Sequence, residues 1–138
     1  MNVEGLTLDK VYQAAYVLKD VARKTDLIYS PHFSGKNQVY LKTENLQQTG
    51  SFKLRGAYYK ISCLSDEEKA AGIVACSAGN HAQGVALAAT HMGAKSIICM
   101  PDGAPISKVE ATKALGAEVR LVKGAYDDAY AYACKLRD

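Results

Sequence analysis

Two loops in the sequence carry residue types that could do chemistry. The first is Thr49-Gly50-Ser51-Phe52-Lys53-Leu54-Arg55-Gly56, in which Thr49 and Ser51 can each cap a helix that begins near Lys53. A lysine there stands at the positive end of a helix dipole, and burial beside Phe52 would further disfavour its ammonium form. We therefore expect Lys53 to keep more free amine, the form that attacks a carbonyl group. A solvated lysine at a helix start is the alternative, and spacing alone leaves both open.

The second loop is Ser77-Ala78-Gly79-Asn80-His81-Ala82-Gln83-Gly84, which follows an apolar run ending at Cys76. Small residues let the backbone approach a ligand closely, and the amides at a helix N-terminus point toward an anion. The Ser77 hydroxyl adds a further donor. These features predict a phosphate or carboxylate site. A plain strand-to-helix turn capped by Ser77 or Asn80 would account for the same residues.

Other candidate sites are weaker. The segment Pro101-Asp102-Gly103-Ala104-Pro105-Ile106-Ser107-Lys108 is explained as a turn that places Ser107 as a helix cap. The three histidines have no metal-ligand spacing, so we expect no metal site. The sequence contains neither a G-x-x-x-x-G-K-[ST] phosphate loop nor a G-x-G-x-x-G dinucleotide motif.

The elements that must position these loops alternate along the chain. Apolar runs predict strands at 73–76, 97–100 and 119–122, and the intervening patterns predict helices near 53–63, 66–71, 81–92, 107–115 and 126–137. Ser65 and Glu68 form a capping box, and Gly93 and Gly116 stand where helices end. This alternation predicts an α/β fold, a parallel sheet with helices on both faces, which binds ligands beyond the carboxyl ends of its strands.

The first part of the chain has a different pattern. A helix is predicted from Thr7, its cap, to about Lys24, with one apolar face formed by Val11, Ala14, Ala15, Leu18 and Ala22. A loop around Ser30-Pro31 and a short strand at 39–42 follow.

The composition is that of a globular protein. The chain has 138 residues, 22% of them charged, and a formal net charge of +3, which does not suggest a nucleic-acid binder. No run resembles a signal peptide or approaches the length of a membrane span, so we expect a cytoplasmic protein. The four cysteines form no C-x-x-C pair and are predicted to be reduced thiols that act as small buried hydrophobes.

The two loops together resemble the fold-type II, tryptophan synthase β-like, pyridoxal-phosphate enzymes. Ser51-Phe52-Lys53-Leu54-Arg55-Gly56 and Ser77-Ala78-Gly79-Asn80-His81-Ala82-Gln83-Gly84 match in type and spacing, and His-Ala-Gln-Gly is similar to the threonine and serine dehydratase subgroup. The run Lys108-Val109-Glu110-Ala111-Thr112 also resembles this subgroup. The similarity extends over most of the chain.

The resemblance implies a role for each motif residue. Lys53 would hold pyridoxal 5'-phosphate as a Schiff base, Phe52 would pack against its ring, and Asn80 would bind its phenolic oxygen. The substrate carboxylate would be bound by Ser77 and the backbone of Ala78, Gly79, Asn80 and His81. Once displaced from the cofactor, Lys53 would act as the base on the α-proton. The implied reaction converts L-threonine or L-serine to a 2-oxo acid and ammonia, in a homo-oligomer that binds neither membrane nor nucleic acid.

The resemblance also implies missing parts. In the family, a glycine-rich loop holding the cofactor phosphate and the residue meeting the pyridine nitrogen lie further on, and neither is present here. Residues 1–48 would be an incomplete piece of the larger domain, and 49–138 the smaller domain. We therefore expect weak cofactor binding, little activity, exposed apolar surface on residues 1–48, and self-association.

Three other interpretations remain open from the sequence. A serine racemase or a cysteine-synthase-like β-replacement enzyme would use the same lysine chemistry. A non-catalytic anion-binding module would use only the 77–81 loop. A folding or assembly unit would bind no ligand of its own.

Overall fold

The computed structural model describes residues 5–138, in six α-helices and five strands. Residues 1–4, the start of the predicted 1–48 segment, lie outside the described residues. In chain order the elements are α1 Leu8–Leu18, β1 Leu27–Tyr29, β2 Tyr40–Lys42, a 3-10 turn Glu44–Leu46, α2 Lys53–Ser62, α3 Asp66–Ala71, β3 Ile73–Cys76, α4 Asn80–His91, β4 Ser96–Pro101, α5 Ile106–Ala114, β5 Glu118–Val122 and α6 Tyr126–Arg137.

The predicted parallel sheet is confirmed. Its three strands lie in the order β3-β4-β5, both pairs parallel. The central strand β4 alternates its side chains between two cores. Ile98 and Met100 pack with residues of α2, α4 and α5, whereas Cys99 packs with α6. Helices therefore cover both faces, as the α/β pattern predicts.

Helix α4 lies deepest in the molecule, and every residue from Ala82 to Ala89 is buried. Four of these residues are alanine and one is glycine, so neighbouring backbones can approach closely. Helix α2 packs along α4 through Ala57 and Ile61. This packing brings the helix that starts at Lys53 against the helix that starts at Asn80.

Several local predictions are confirmed. Ser65 and Glu68 form the capping box of α3. Gly93 and Gly116 follow helices with φ of 68° and 94°, a region that glycine enters without steric cost. Thr7 caps α1, and its side chain accepts from the Lys10 amide.

The predicted extent of α1 is wrong, because the helix ends at Leu18 rather than near Lys24. Side chains from a distant segment form hydrogen bonds with the backbone N–H and C=O groups that a longer helix would pair internally. The Gln47 amide accepts from the Arg23 N–H at 3.0 Å and donates to the Arg23 carbonyl at 2.8 Å. Gln48 donates to the Val21 carbonyl at 2.6 Å. The predicted apolar face is also mostly open, with only Leu18 buried.

The sequence also missed a strand and misplaced two features. The short strand predicted at 39–42 exists as β2, but it pairs antiparallel with β1, which lies before the Ser30-Pro31 loop. Helix α5 begins at Ile106 after Pro105, whose fixed φ suits a helix entry, so Ser107 is not its cap.

The predicted burial of the cysteines holds only in part. Of the four free cysteines only Cys99 is fully buried, and Cys63 is exposed.

The segment before Lys53 is fixed by an ion pair. The Arg55 guanidinium donates to both oxygens of Glu44 at 2.8 Å, and the Thr25 hydroxyl donates to the same carboxylate at 2.6 Å. The hydrogen bonds from Arg55, reinforced by Thr25, lower the pKa of Glu44 from 4.5 to about 2. The pair joins the 3-10 turn to the first turn of α2, so it holds both ends of the loop that leads to Lys53.

The expected surface of the N-terminal segment is confirmed for the described residues. Large apolar side chains on α1 and on the β1–β2 hairpin are exposed, namely Leu8, Val11, Tyr12, Tyr16, Leu27, Ile28, Tyr29, Tyr40 and Leu41. A monomer rarely exposes this many large apolar side chains on one helix and one hairpin.

Among residues 5–138, no helix combines the length and the apolar character needed to cross a membrane.

Glu44→Gln should destabilise the chain by about 2 kcal/mol at pH 7, because it removes a charge-assisted pair that is partly screened on the Arg55 side. A carboxylate whose pKa is lower in the folded than in the unfolded state stabilises the folded state at any pH above its unfolded-state pKa. This stabilisation is lost as the pH falls through the folded-state pKa. The difference between wild type and variant should therefore shrink between pH 4.5 and about 2. Urea unfolding at several pH values measures it.

Glu110→Gln is the matched control, since Glu110 forms an exposed pair with Lys113 at 3.0 Å. We expect a change within about 0.5 kcal/mol. Equal losses in the two variants, or a Glu44→Gln loss that is constant with pH, would contradict the assignment.

Candidate functional site

Lys53 is the first residue of α2, as predicted. The Ser51 hydroxyl accepts from the Lys53 backbone N–H at 3.4 Å, so one predicted capping group is used. Thr49 does not cap the helix, since its buried hydroxyl has no partner among the described residues. The predicted burial beside Phe52 is wrong. Phe52 is 59% exposed and Lys53 is exposed, with Nζ 5.1 Å from the centre of the Phe52 ring.

The loop from Ser77 to Gly79 lies beyond the carboxyl end of β3, and α4 begins at Asn80. The Ser77 hydroxyl oxygen accepts from the Gly79 amide at 3.3 Å, which leaves its O–H free to donate. Within residues 5–138, the amides of Ala78, Asn80 and His81 have no acceptor. These free donors at a helix N-terminus suit a carboxylate or a phosphate group.

Gly84 fixes the distance between the two loops. A Cβ at this position would lie 3.0 Å from the Lys53 carbonyl oxygen and 3.1 Å from its carbon. The backbone of α2's first turn therefore rests directly on α4, one turn beyond the loop. Only glycine lets the two helices approach this closely.

His81 reports the electrostatics of the same region. Desolvation lowers the pKa of its imidazole, and the nearby Lys53 ammonium lowers that pKa further. Two positive charges would repel here, so the imidazole is favoured in its neutral form. The Lys53 ammonium is thus near enough to the His81 imidazole to disfavour its protonated form.

Asn80 is held from a third loop. Lys108, in the first turn of α5, donates from Nζ to the Asn80 side-chain oxygen Oδ1 at 2.7 Å. Helix α5 follows β4, the strand next to β3. The N-terminal turns of α2, α4 and α5 thus meet at one edge of the sheet.

The structure brings the predicted site residues Phe52, Lys53, Ser77, Ala78, Gly79, Asn80 and His81 to this edge. Sequence reasoning missed the contact made by Lys108, whose only sequence signal was its place after a neighbouring strand. It also missed the Glu44–Arg55 pair, which no spacing rule reveals. No group of three or more His, Cys, Asp or Glu side chains among residues 5–138 could hold a metal ion.

Fold and site together define a class, an α/β protein that presents a lysine amine beside a helix terminus with free amide donors. Comparison with known families gives a narrower result. The family model of the pyridoxal-phosphate dependent enzymes matches residues 18–138. The chain belongs to this family.

Relatives of known activity are similar over nearly the whole chain. It is 50% identical to the L-threonine ammonia-lyase of Thermotoga maritima over 96% of its length, and 46% identical to the catabolic L-threonine dehydratase of Escherichia coli strain K12 over 95%. These matches cover 34% and 40% of the two relatives. The chain therefore spans about a third to two-fifths of the length of these proteins.

Solved structures agree with this assignment. Threonine deaminase isoform 2 of Solanum lycopersicum superposes with a TM-score of 0.82 at 38% identity, over 96% of this chain and 38% of that chain. Maize serine racemase superposes with a TM-score of 0.88 at 30% identity, over 94% of this chain and 40% of the racemase chain.

The residues present fit the family's cofactor, pyridoxal phosphate. An accessible amine suits its aldehyde, and the exposed Phe52 ring offers an apolar face beside that amine. Because Lys108 occupies Asn80 Oδ1, the Asn80 NH2 group remains free to donate, as a phenolic oxygen requires.

Gly84→Ala should lower the free energy of unfolding by about 1–2 kcal/mol, because the added methyl group meets a backbone that cannot swing away. Gly56→Ala is the matched control. A Cβ at Gly56 meets nothing within 4 Å, so alanine should stabilise by about 0.5–1 kcal/mol. Thermal and urea unfolding of both variants measure the contrast. A Gly84→Ala protein as stable as Gly56→Ala would show that the helices are not in close contact.

Proposed function

We propose that this chain is the part of an L-threonine and L-serine dehydratase that holds the cofactor by its aldehyde and the substrate by its carboxylate. The observation that carries the proposal is the contact of α2 on α4 at Gly84, which sets Lys53 beside the Ser77–His81 turn. The threonine dehydratase relatives support the choice of reaction.

Lys53 has two tasks in this proposal. Its amine holds the cofactor covalently, and later accepts the α-proton of the amino acid. When bound, pyridoxal phosphate supplies the electron sink that makes this proton acidic. The neutral state favoured for His81 avoids adding a second positive charge near the amine.

The Ser77–His81 turn orients the substrate. The Ser77 hydroxyl and the free amides of Ala78, Asn80 and His81 offer donors to the two carboxylate oxygens. The Gly79 amide donates to Ser77 instead, so it orders the turn rather than the substrate. Fixing the carboxylate limits rotation about Cα and presents the α-proton to Lys53, an entropic contribution. Loss of the β-hydroxyl group and hydrolysis then yield the 2-oxo acid and ammonia.

We assign residues 1–48 to an incomplete larger domain and residues 49–138 to the smaller domain. The exposed apolar faces of α1 and the β1–β2 hairpin support this division. A complete domain rarely leaves so much apolar surface in contact with water. The open surroundings of Phe52 and Lys53 agree with a site that needs further protein to close it.

Serine racemase is the second candidate, favoured by the close superposition of the maize enzyme. Both activities begin with removal of the α-proton, so Lys53 and the Ser77–His81 turn serve either one. Chiral analysis of serine beside 2-oxo acid production, on protein containing this chain, separates the two.

Borohydride reduction after addition of pyridoxal phosphate should attach a pyridoxyl group to Lys53 in preference to the other lysines. The reason is that, among the lysines in residues 5–138, only Lys53 has both an apolar ring and the free donors of α4 beside it. Peptide mass spectrometry measures the label at each lysine over a range of cofactor concentrations. The chain alone should produce little or no 2-oxobutyrate from L-threonine.

Lys53→Ala and Lys135→Ala are the paired controls, since Lys135 lies on α6 across the sheet. The first should abolish preferential labelling and the second should leave it intact. Equal labelling of all lysines would refute the assignment of Lys53. Robust 2-oxobutyrate production by the 138-residue chain would refute its incompleteness.

Light scattering should show that the chain self-associates at micromolar concentration, because the apolar faces of α1 and the hairpin are uncovered. Replacing exposed Tyr12 and Tyr16 on α1 by Glu should reduce the average mass, whereas the same change at exposed Tyr130 on α6 should not. A monomer that binds no hydrophobic dye would contradict this expectation.

A further inference from the structure

Lys108 occupies a position that helix stability does not explain. It lies in the first turn of α5, where the helix dipole disfavours a cation. Lys113, in the last turn of the same helix, has a favourable position and a carboxylate partner, Glu110. Among the described residues, the single side-chain partner of Lys108 is Asn80 Oδ1 at 2.7 Å.

The hydrogen bond between Lys108 and Asn80 can form in one direction only. An ammonium group donates hydrogen bonds and accepts none, so it can bind the carbonyl end of an amide and repels the NH2 end. Lys108 therefore determines which way the Asn80 amide is turned. The contact also joins the loops that follow β3 and β4, two neighbouring strands of the sheet.

We propose that Lys108 is a positioning residue that fixes the Asn80 side chain with its NH2 group free to donate to the phenolic oxygen of pyridoxal phosphate. This inference rests on the proposed function, since it assumes that Asn80 meets the cofactor. Lys108 acts through Asn80 and makes no demand on Lys53, so the two assignments can fail separately.

The first test is a double-mutant cycle on cofactor binding, measured as the pyridoxal phosphate concentration that gives half-maximal labelling of Lys53. Lys108→Met should raise this concentration about tenfold, as expected for loss of a charged hydrogen bond. Lys108→Arg, whose side chain also only donates hydrogen bonds, should keep this concentration close to the wild-type value. In an Asn80→Ala background, Lys108→Met should have no further effect.

Lys113→Met is the matched control on the same helix and should leave labelling unchanged. An equal effect of Lys108→Met with and without Asn80 would overturn the proposal, because Lys108 would then act directly by its charge. A Lys108→Met protein that behaves like Lys113→Met would overturn it as well.

The second test needs no cofactor. The side-chain NH2 signals of Asn80 in a nitrogen-15 correlation spectrum should shift in Lys108→Met and remain near wild type in Lys108→Arg and Lys113→Met. If Lys53 is not labelled but the Asn80 signals shift in Lys108→Met, the proposed function is refuted and the Lys108–Asn80 contact is supported. Asn80 signals that are insensitive to Lys108→Met would overturn the contact itself.

Discussion

The first turn of α2 and the second turn of α4 are so close that a Cβ at Gly84 would lie only 3.0 Å from the Lys53 carbonyl oxygen. This contact at Gly84 brings together the N-termini of two helices, one that begins at Lys53 and one that begins at Asn80. Helix α4 can accept it because it is buried over eight residues, most of them small, and is therefore held in place by the core on which α2 also packs. The position of Lys53 relative to the Ser77–His81 turn is thus a consequence of core packing.

A second constraint acts from the other side of Lys53. The Glu44–Arg55 pair ties the preceding loop to α2. The bonds that Gln47 and Gln48 make to residues 21–23 tie the same loop to the segment after α1. A lysine on a free loop would sample many orientations, and each would have to be lost on binding. Here the backbone of Lys53 is fixed at both ends, so only its side-chain torsions remain to be ordered.

The sheet and its helices could be predicted because their signals are local. Apolar runs such as 73–76, the capping box at Ser65, and the glycines after α4 and α5 depend on neighbouring residues, and all are confirmed. The end of α1 could not be predicted, because side chains more than twenty residues away take its backbone groups. Strand β1 is three residues long and exposed, so no burial pattern marks it. In the site, the motifs predicted residues that the structure places at one edge of the sheet, whereas the contact of Lys108 with Asn80 depends on the pairing of β3 with β4.

Geometry and environment are separate contributions to such a site, and this chain shows the first without the second. The amine, the turn and the Asn80 amide are in place, yet Phe52, Lys53, Asn80 and His81 remain exposed. Exposed charges interact weakly, because water screens them, and a hydrogen bond to a cofactor oxygen gains little where water competes for the same donor. Excluding that water requires apolar protein over the sheet edge. The faces of α1 and the hairpin are likewise uncovered, and their large apolar side chains are exposed. Apolar protein that covered both this edge and those faces would exclude water from Lys53 and strengthen each electrostatic interaction of its amine.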